Sequence, residues 1–172
     1  ETGELLRDAD SAMYRAKMQG RSRYEVLDRQ LPALAMQRLQ LESDLHRHLE
    51  SHDFLLHYQP IVDLQTGEVS CFEALVRWLR PQRGFTRPGD FIALAEETGL
   101  IVRLDRWVVR TACQQMRQWL DEFGDRAPQS IHVNLSSRQF SQPDLVDCIS
   151  TILQEVGLPA HRLKLEITES AI

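Results

Sequence analysis

The sequence predicts an α/β fold in which parallel strands are joined by helical crossovers. Three observations predict it. From Phe54 onward, short apolar runs with period-two alternation are interleaved with longer stretches of helical period. After an opening pair of strands the order runs strand, helices, strand, helix, strand, which calls for crossovers rather than tight turns. Neither standard glycine-rich phosphate loop is present, which weighs against a nucleotide-binding sheet. A doubly wound sheet and a barrel both remain compatible with this order.

Bulk properties set the limits. With 172 residues, 42% hydrophobic and 26% charged, the chain can bury the core of one globular domain. A formal net charge of −5 argues against a nucleic-acid backbone as partner. No apolar run is long enough to cross a bilayer. No secretory signal opens the chain and Glu1 is not a natural start, so a piece of a longer protein is expected. That protein is expected to be cytoplasmic, although it could be membrane-anchored upstream. Cys71, Cys113 and Cys148 are far apart, form no CxxC pair, and read as reduced, buried small hydrophobes. The histidines show no metal-ligand spacing, and His46, His48 and His52 read as a solvated helical face.

The elements follow in order. Residues 8–19 read as a helix with Ala9, Ala12, Met13 and Ala16 on one side, stopped by Gly20. Residues 21–27 read as a short strand. Gln30 to Ser51 is helical in pattern, with Leu34, Leu41, Leu45 and Leu49 as its stripe and Pro32 in its first turn. Phe54 to Leu64 and Glu68 to Leu79 read as strands, and the turn Gln65-Thr66-Gly67 makes them an antiparallel hairpin. Pro88 starts a helix that runs to Gly99. Leu104, Val108, Ala112, Met116 and Trp119 mark the buried side of the next, capped by Gly124. Ile131 to Ser136 is a third strand. Ser141 is expected to N-cap a helix ending at Gly157. Leu163 to Thr168 is a fourth strand.

Strand parity carries the functional signal, because side chains alternate across a strand. His132, Asn134 and Ser136 share one face of the third strand, and Lys164, Glu166 and Thr168 one face of the fourth. On the second, Cys71, Glu73, Leu75 and Arg77 share a face, and on the first, Gln59 lies with His57 and Leu55. In an open antiparallel sheet such a polar face meets water. Parallel strands are instead normally covered on both sides. In a parallel barrel the polar face points inward, and Gln59, Glu73, Arg77, Asn134 and Glu166 would converge at the strand ends. Glu73, Asn134 and Glu166 are oxygen donors suited to magnesium or manganese. Arg77 supplies a fork matched to a phosphate. That combination points to metal-assisted phosphoester hydrolysis, although each glutamate could equally hold a structural ion pair.

Long motifs then identify a family. Tyr58-Gln-Pro-Ile-Val-Asp-Leu and Phe72-Glu-Ala-Leu-Val-Arg-Trp resemble the start of EAL domains, with Glu73-Ala74-Leu75 the naming triplet. The runs from Pro88 to Gly99, Trp107 to Cys113, Val133 to Ser136 and Leu165 to Ser170 fit in the same order. Upstream, Ala9 to Tyr24 resembles the last helix and strand of GGDEF domains, whose signature motif is absent.

The resemblance implies a partial TIM-like (β/α) barrel with its first strand antiparallel. It divides the chain into a GGDEF end over residues 1–28, a helical linker over 29–43, and a truncated EAL domain over 44–172. It implies hydrolysis of cyclic-di-GMP to linear pGpG with Mg2+ or Mn2+. Glu73, Asn134 and Glu166 would be metal ligands, and Gln59, Leu75 and Arg77 would contact substrate. Glu73, Glu166 and Glu169 would be catalytic, with Glu169 anchoring a loop beside the metals. The family's paired aspartates, its lysine and a later glutamate lie beyond Ile172, so these 172 residues alone are expected to be inactive. A receptor that binds cyclic-di-GMP without cleaving it is the alternative. Self-association through the last strand, or residues completing the barrel, is expected to cover the open edge. Cys71 stands where the family usually has glycine.

Overall fold

The computed structural model describes the backbone of residues 31–51, 53–80 and 84–167, and the side chains of these stretches apart from 31–35 and 50. The chain divides into two compact units, Glu1–Leu41 and Glu42–Ile172. In the first, the described residues are helical and 36–40 are exposed. The helix and strand expected over 8–19 and 21–27 lie outside the described residues.

Helix α1 spans Leu31–Ser51. Strands β1 (Phe54–Val62) and β2 (Val69–Arg80) pair antiparallel, from Phe54 opposite Trp78 to Ile61 opposite Cys71. Asp63 ends β1 before the expected Leu64, because its Oδ1 accepts the Gln65 and Thr66 N–H groups at 2.7 and 3.1 Å. Gly67 completes the turn at φ 74°, a conformation open to glycine. A strand not expected from the sequence, β3 (Gly84–Thr86), pairs with the end of β2, Phe85 lying opposite Leu79. At three residues it is too short for alternation to register.

Helix α2 (Pro88–Thr98) begins on Pro88 and closes on Gly99 at φ 80°. Helix α3 (Ile101–Phe123) packs on β1, β2, α2 and the following strand, β4 (Ser130–Leu135). Ser136 leaves the strand to cap α4 (Ser137–Phe140), its Oγ accepting the Gln139 N–H at 3.2 Å. This corrects the expectation that Ser141 is an N-cap. The Ser141 hydroxyl donates backwards to the Ser137 carbonyl at 2.9 Å, and α5 (Leu145–Val156) starts only after Asp144. Strand β5 (Leu163–Ile167) closes the described chain.

The sheet order is β1-β2-β4-β5, with β2, β4 and β5 parallel and β3 paired to β2 off this path. This mixed α/β arrangement, with an antiparallel first strand, is the one expected. Ile131, Val133 and Ala74 are buried beneath the helices, together with Leu104, Ala112 and Met116 of α3. Beside them Trp78 stacks on Phe54 at 5.3 Å and meets Phe91 edge-on at 5.5 Å. Strand β5 lies at the open edge of the described sheet. As an edge strand with β4 its one neighbour in the described sheet, it leaves Leu165 and Ile167 exposed.

One histidine contradicts the solvated-face reading. His46 is exposed, but His48 is 5% exposed and its Nδ1 accepts the Trp78 indole N–H at 3.1 Å. Leu45, also on the buried side, sits three residues before it, so the helical stripe is wider than the leucines alone. His52 lies outside the described residues. Cys71 and Cys113 are buried and Cys148 half-buried, all as free thiols.

Candidate active site

The polar face forms by register. Gln59 lies opposite Glu73, Glu73 beside His132, and Asn134 beside Glu166. Alternation puts all five on one side of the sheet, the side opposite the helices. Asn134 Nδ2 donates to Glu73 Oε1 at 2.6 Å, leaving its carbonyl oxygen for another partner. Further along β2, Leu75 is half-buried, and Arg77 lies folded on its own strand, Nη1 donating to the Val76 carbonyl at 2.9 Å. Glu169 lies outside the described residues.

Glu73 and Asn134 therefore come together, and Asn134 neighbours Glu166 in register. Glu166 itself takes a partner that the sequence reading left out. His132 Nδ1–H donates to Glu166 Oε1 at 2.6 Å, while its Nε2 is buried with no partner. Cys71 lies in this layer too, its Sγ 3.2 Å from Ser130 Oγ. Burial raises the Cys71 thiol, but the polar groups of Ser130, His132 and Ser70 around it bring it below its ordinary pKa. The signal for His132 was present, since it shares parity with Asn134. Selection for oxygen donors passed over it.

Behind Arg77 and Asn134 lies a cavity of about 270 Å³. Its walls include Leu75, Ile92, Ile101 and Leu104, and its polar groups include Arg77, Asp105 and Asn134. Asp105 was also missed by the sequence reading, as a charge among arginines. Its spacing gave it away: it stands four residues after Ile101 and four before Val109, both buried. Its Oδ2 accepts the Ser136 N–H at 3.1 Å and the Ser136 hydroxyl at 2.5 Å. This clasp fixes the chain just past Asn134.

Burial pushes the Asp105 carboxyl up to about 6, the Ser136 hydrogen bonds opposing and nearby Glu96 reinforcing the shift. A carboxyl raised from 3.8 stabilises the fold while protonated. That contribution is complete below pH 4 and is lost as pH rises through 6. Asp105→Asn removes the ionisation. Between pH 4 and 7 the variant should gain on the wild type by up to about 3 kcal/mol in urea unfolding. A wild type that gains on the variant over this range contradicts the assignment.

Residues 42–172 match the family model described as EAL domain. The chain is 47% identical over 97% of its length to the Pseudomonas aeruginosa protein named bifunctional diguanylate cyclase/cyclic di-GMP phosphodiesterase MucR. It spans 24% of that protein. The structure described as PaMucR phosphodiesterase in a c-di-GMP complex matches at TM-score 0.72 and 45% identity, over 77% of this chain and 53% of that one. The Xanthomonas citri FimX EAL domain, in complex with c-diGMP, matches at TM-score 0.69 and 31% identity, over 81% and 53%. On the family match over most of its length, the chain belongs to the EAL domain family.

Proposed function

We propose that this chain supplies the first strands and the binding face of a cyclic-di-GMP phosphodiesterase, which converts the cyclic dinucleotide to linear pGpG. The carrying observation is the Asn134 side chain, hydrogen-bonded to Glu73 and in register with Glu166 on one open sheet face. In the proposed organisation residues 1–28 end a GGDEF domain, 29–43 link, and 44–172 begin the EAL domain. The relatives' names support the substrate, and the chain's share of their length supports a longer working protein.

The donor set fits a hard divalent cation. Among the described residues no three acidic, histidine or cysteine side chains gather as a ligand cluster. Glu73, Glu166 and the Asn134 carbonyl are nevertheless oxygen donors on adjacent strands, and hydrogen bonds from Asn134 and His132 already orient the two carboxylates. Magnesium or manganese held there would supply Lewis-acid charge to the phosphoryl oxygens. Arg77 offers its fork to a phosphate, and Gln59 and Leu75 border the same face. The cavity suits one guanine. Its apolar walls would cover the ring, and the Asp105 carboxylate among its lining groups would accept from the guanine donor edge. Asp105→Asn, which puts an amide there, should weaken cyclic-di-GMP binding while the fold stays intact.

The test is turnover. Full-length protein given cyclic-di-GMP and Mn2+ should release linear pGpG, and chelation should stop it. The 172 residues alone should release none. Binding without cleavage by the full-length protein defeats the hydrolase reading in favour of a receptor, and product formation in excess chelator defeats the cation assignment.

A further inference from the structure

Phe85 is a large aromatic side chain in an unexpected place. It is 60% exposed, yet it belongs to a strand and not to a loop. Its register partner is Leu79, and directly opposed residues of antiparallel strands project to the same side. Leu79 shares parity with Glu73, Leu75 and Arg77. Phe85 therefore stands on the polar face, not among the helices.

A second ring joins it. His57, also exposed, lies opposite Leu75 in β1, and its ring meets that of Phe85 at 6.0 Å and 69°. Trp78 pairs with Phe54 on one edge of β2 and with Thr86 on the other, so β1 and β3 flank β2. The two rings thus meet across β2, at the level of Arg77. Neither is a wall of the cavity behind them. Ordinary packing would bury so large a ring, and an exposed aromatic beside a phosphate-matching arginine is the arrangement used to hold nucleotides.

We propose that Phe85, braced edge-on by His57, is the platform on which one guanine ring of the cyclic dinucleotide stacks. This rests on the cyclic-di-GMP reading above and adds to it a base-recognition residue on the same face, at the level of Leu79, six residues along β2 from Glu73. Stacking uses the ring's π-face, so it distinguishes an aromatic side chain from an aliphatic one of similar bulk. The carboxylate and asparagine positions make no such demand.

The experiment measures cyclic-di-GMP affinity in the full-length protein by calorimetry, with Ca2+ in place of Mn2+ to slow turnover. Phe85→Ala should weaken binding about tenfold, within the range of one lost base stack. Phe85→Leu should be nearly as weak, and Phe85→Trp should restore affinity. The introduced indole should also lose fluorescence on ligand binding, a change absent from the wild-type signal. Unchanged melting temperatures separate lost stacking from lost folding. Wild-type affinity in Phe85→Leu would show a merely apolar contact and overturn the proposal. A wild type that binds no cyclic-di-GMP removes the underlying reading, and the platform with it. Tight wild-type binding with indifferent Phe85 variants removes the platform alone.

Discussion

Replacing Glu73 with alanine is expected to lower hydrolysis of cyclic-di-GMP by the full-length protein at least about a hundredfold, with little change in stability. The carboxylate is central to the face, with Gln59 on one side and His132 on the other. It also orients Asn134 through the 2.6 Å hydrogen bond. Its loss removes one oxygen donor and frees a second to turn. Stability should barely respond. Asn134 is exposed, so its amide can bond to water once Glu73 is gone, and a lost hydrogen bond of this kind is worth about 1 kcal/mol. The measurement pairs the rate of pGpG release with the melting temperature. Glu73→Gln refines it. Glutamine keeps the shape but brings an amide with half the acceptor capacity, so turnover should fall nearly as far while melting stays unchanged. Wild-type turnover in either variant would remove Glu73 from the chemistry.

The parts of this site visible in the sequence are those that one strand can encode. Parity assigned Glu73, Asn134 and Glu166 to a common face because a strand repeats every two residues whatever lies beside it. The lateral pairings depend on register between distant strands. Parity alone therefore did not show that Asn134 would reach Glu73 while Glu166 turned to His132. Asp105 and His48 were hidden for a related reason. Each is a polar residue on the buried side of a helix, and each is held by a partner about thirty residues away, Ser136 and Trp78 respectively. A polar side chain reads as solvent-facing until its partner is known. The cap misassigned to Ser141 has a local cause: that serine ends α4, its hydroxyl bonded back to the Ser137 carbonyl, and the helix closed by Gly157 starts later, after Asp144. Strand β3 was missed because its three residues are defined only by pairing with β2.

Helix α1 carries the second large effect. Asp44→Ala should destabilise the fold by about 3–5 kcal/mol, the range for breaking a buried ion pair from one side. Asp44 Oδ2 pairs with Arg80 Nη2, and the residues are 6% and 8% exposed. The Arg80 guanidinium lies 5.2 Å from the centre of the Trp78 ring, and its Nε is buried with no partner. Without the carboxylate, a cation would remain in a site with little access to water, with the indole face as modest compensation. Arg47, which also bonds to Asp44, is exposed and loses little. Removing both charges should cost much less. Asp44→Leu combined with Arg80→Met replaces the pair with apolar side chains of similar bulk, and should recover most of the stability. Thermal unfolding of the two variants makes the comparison, with a midpoint temperature roughly 10 °C lower expected for Asp44→Ala alone. A single variant as stable as the wild type would mean that Arg80 finds solvent, and that the pair does not hold helix α1 against β2.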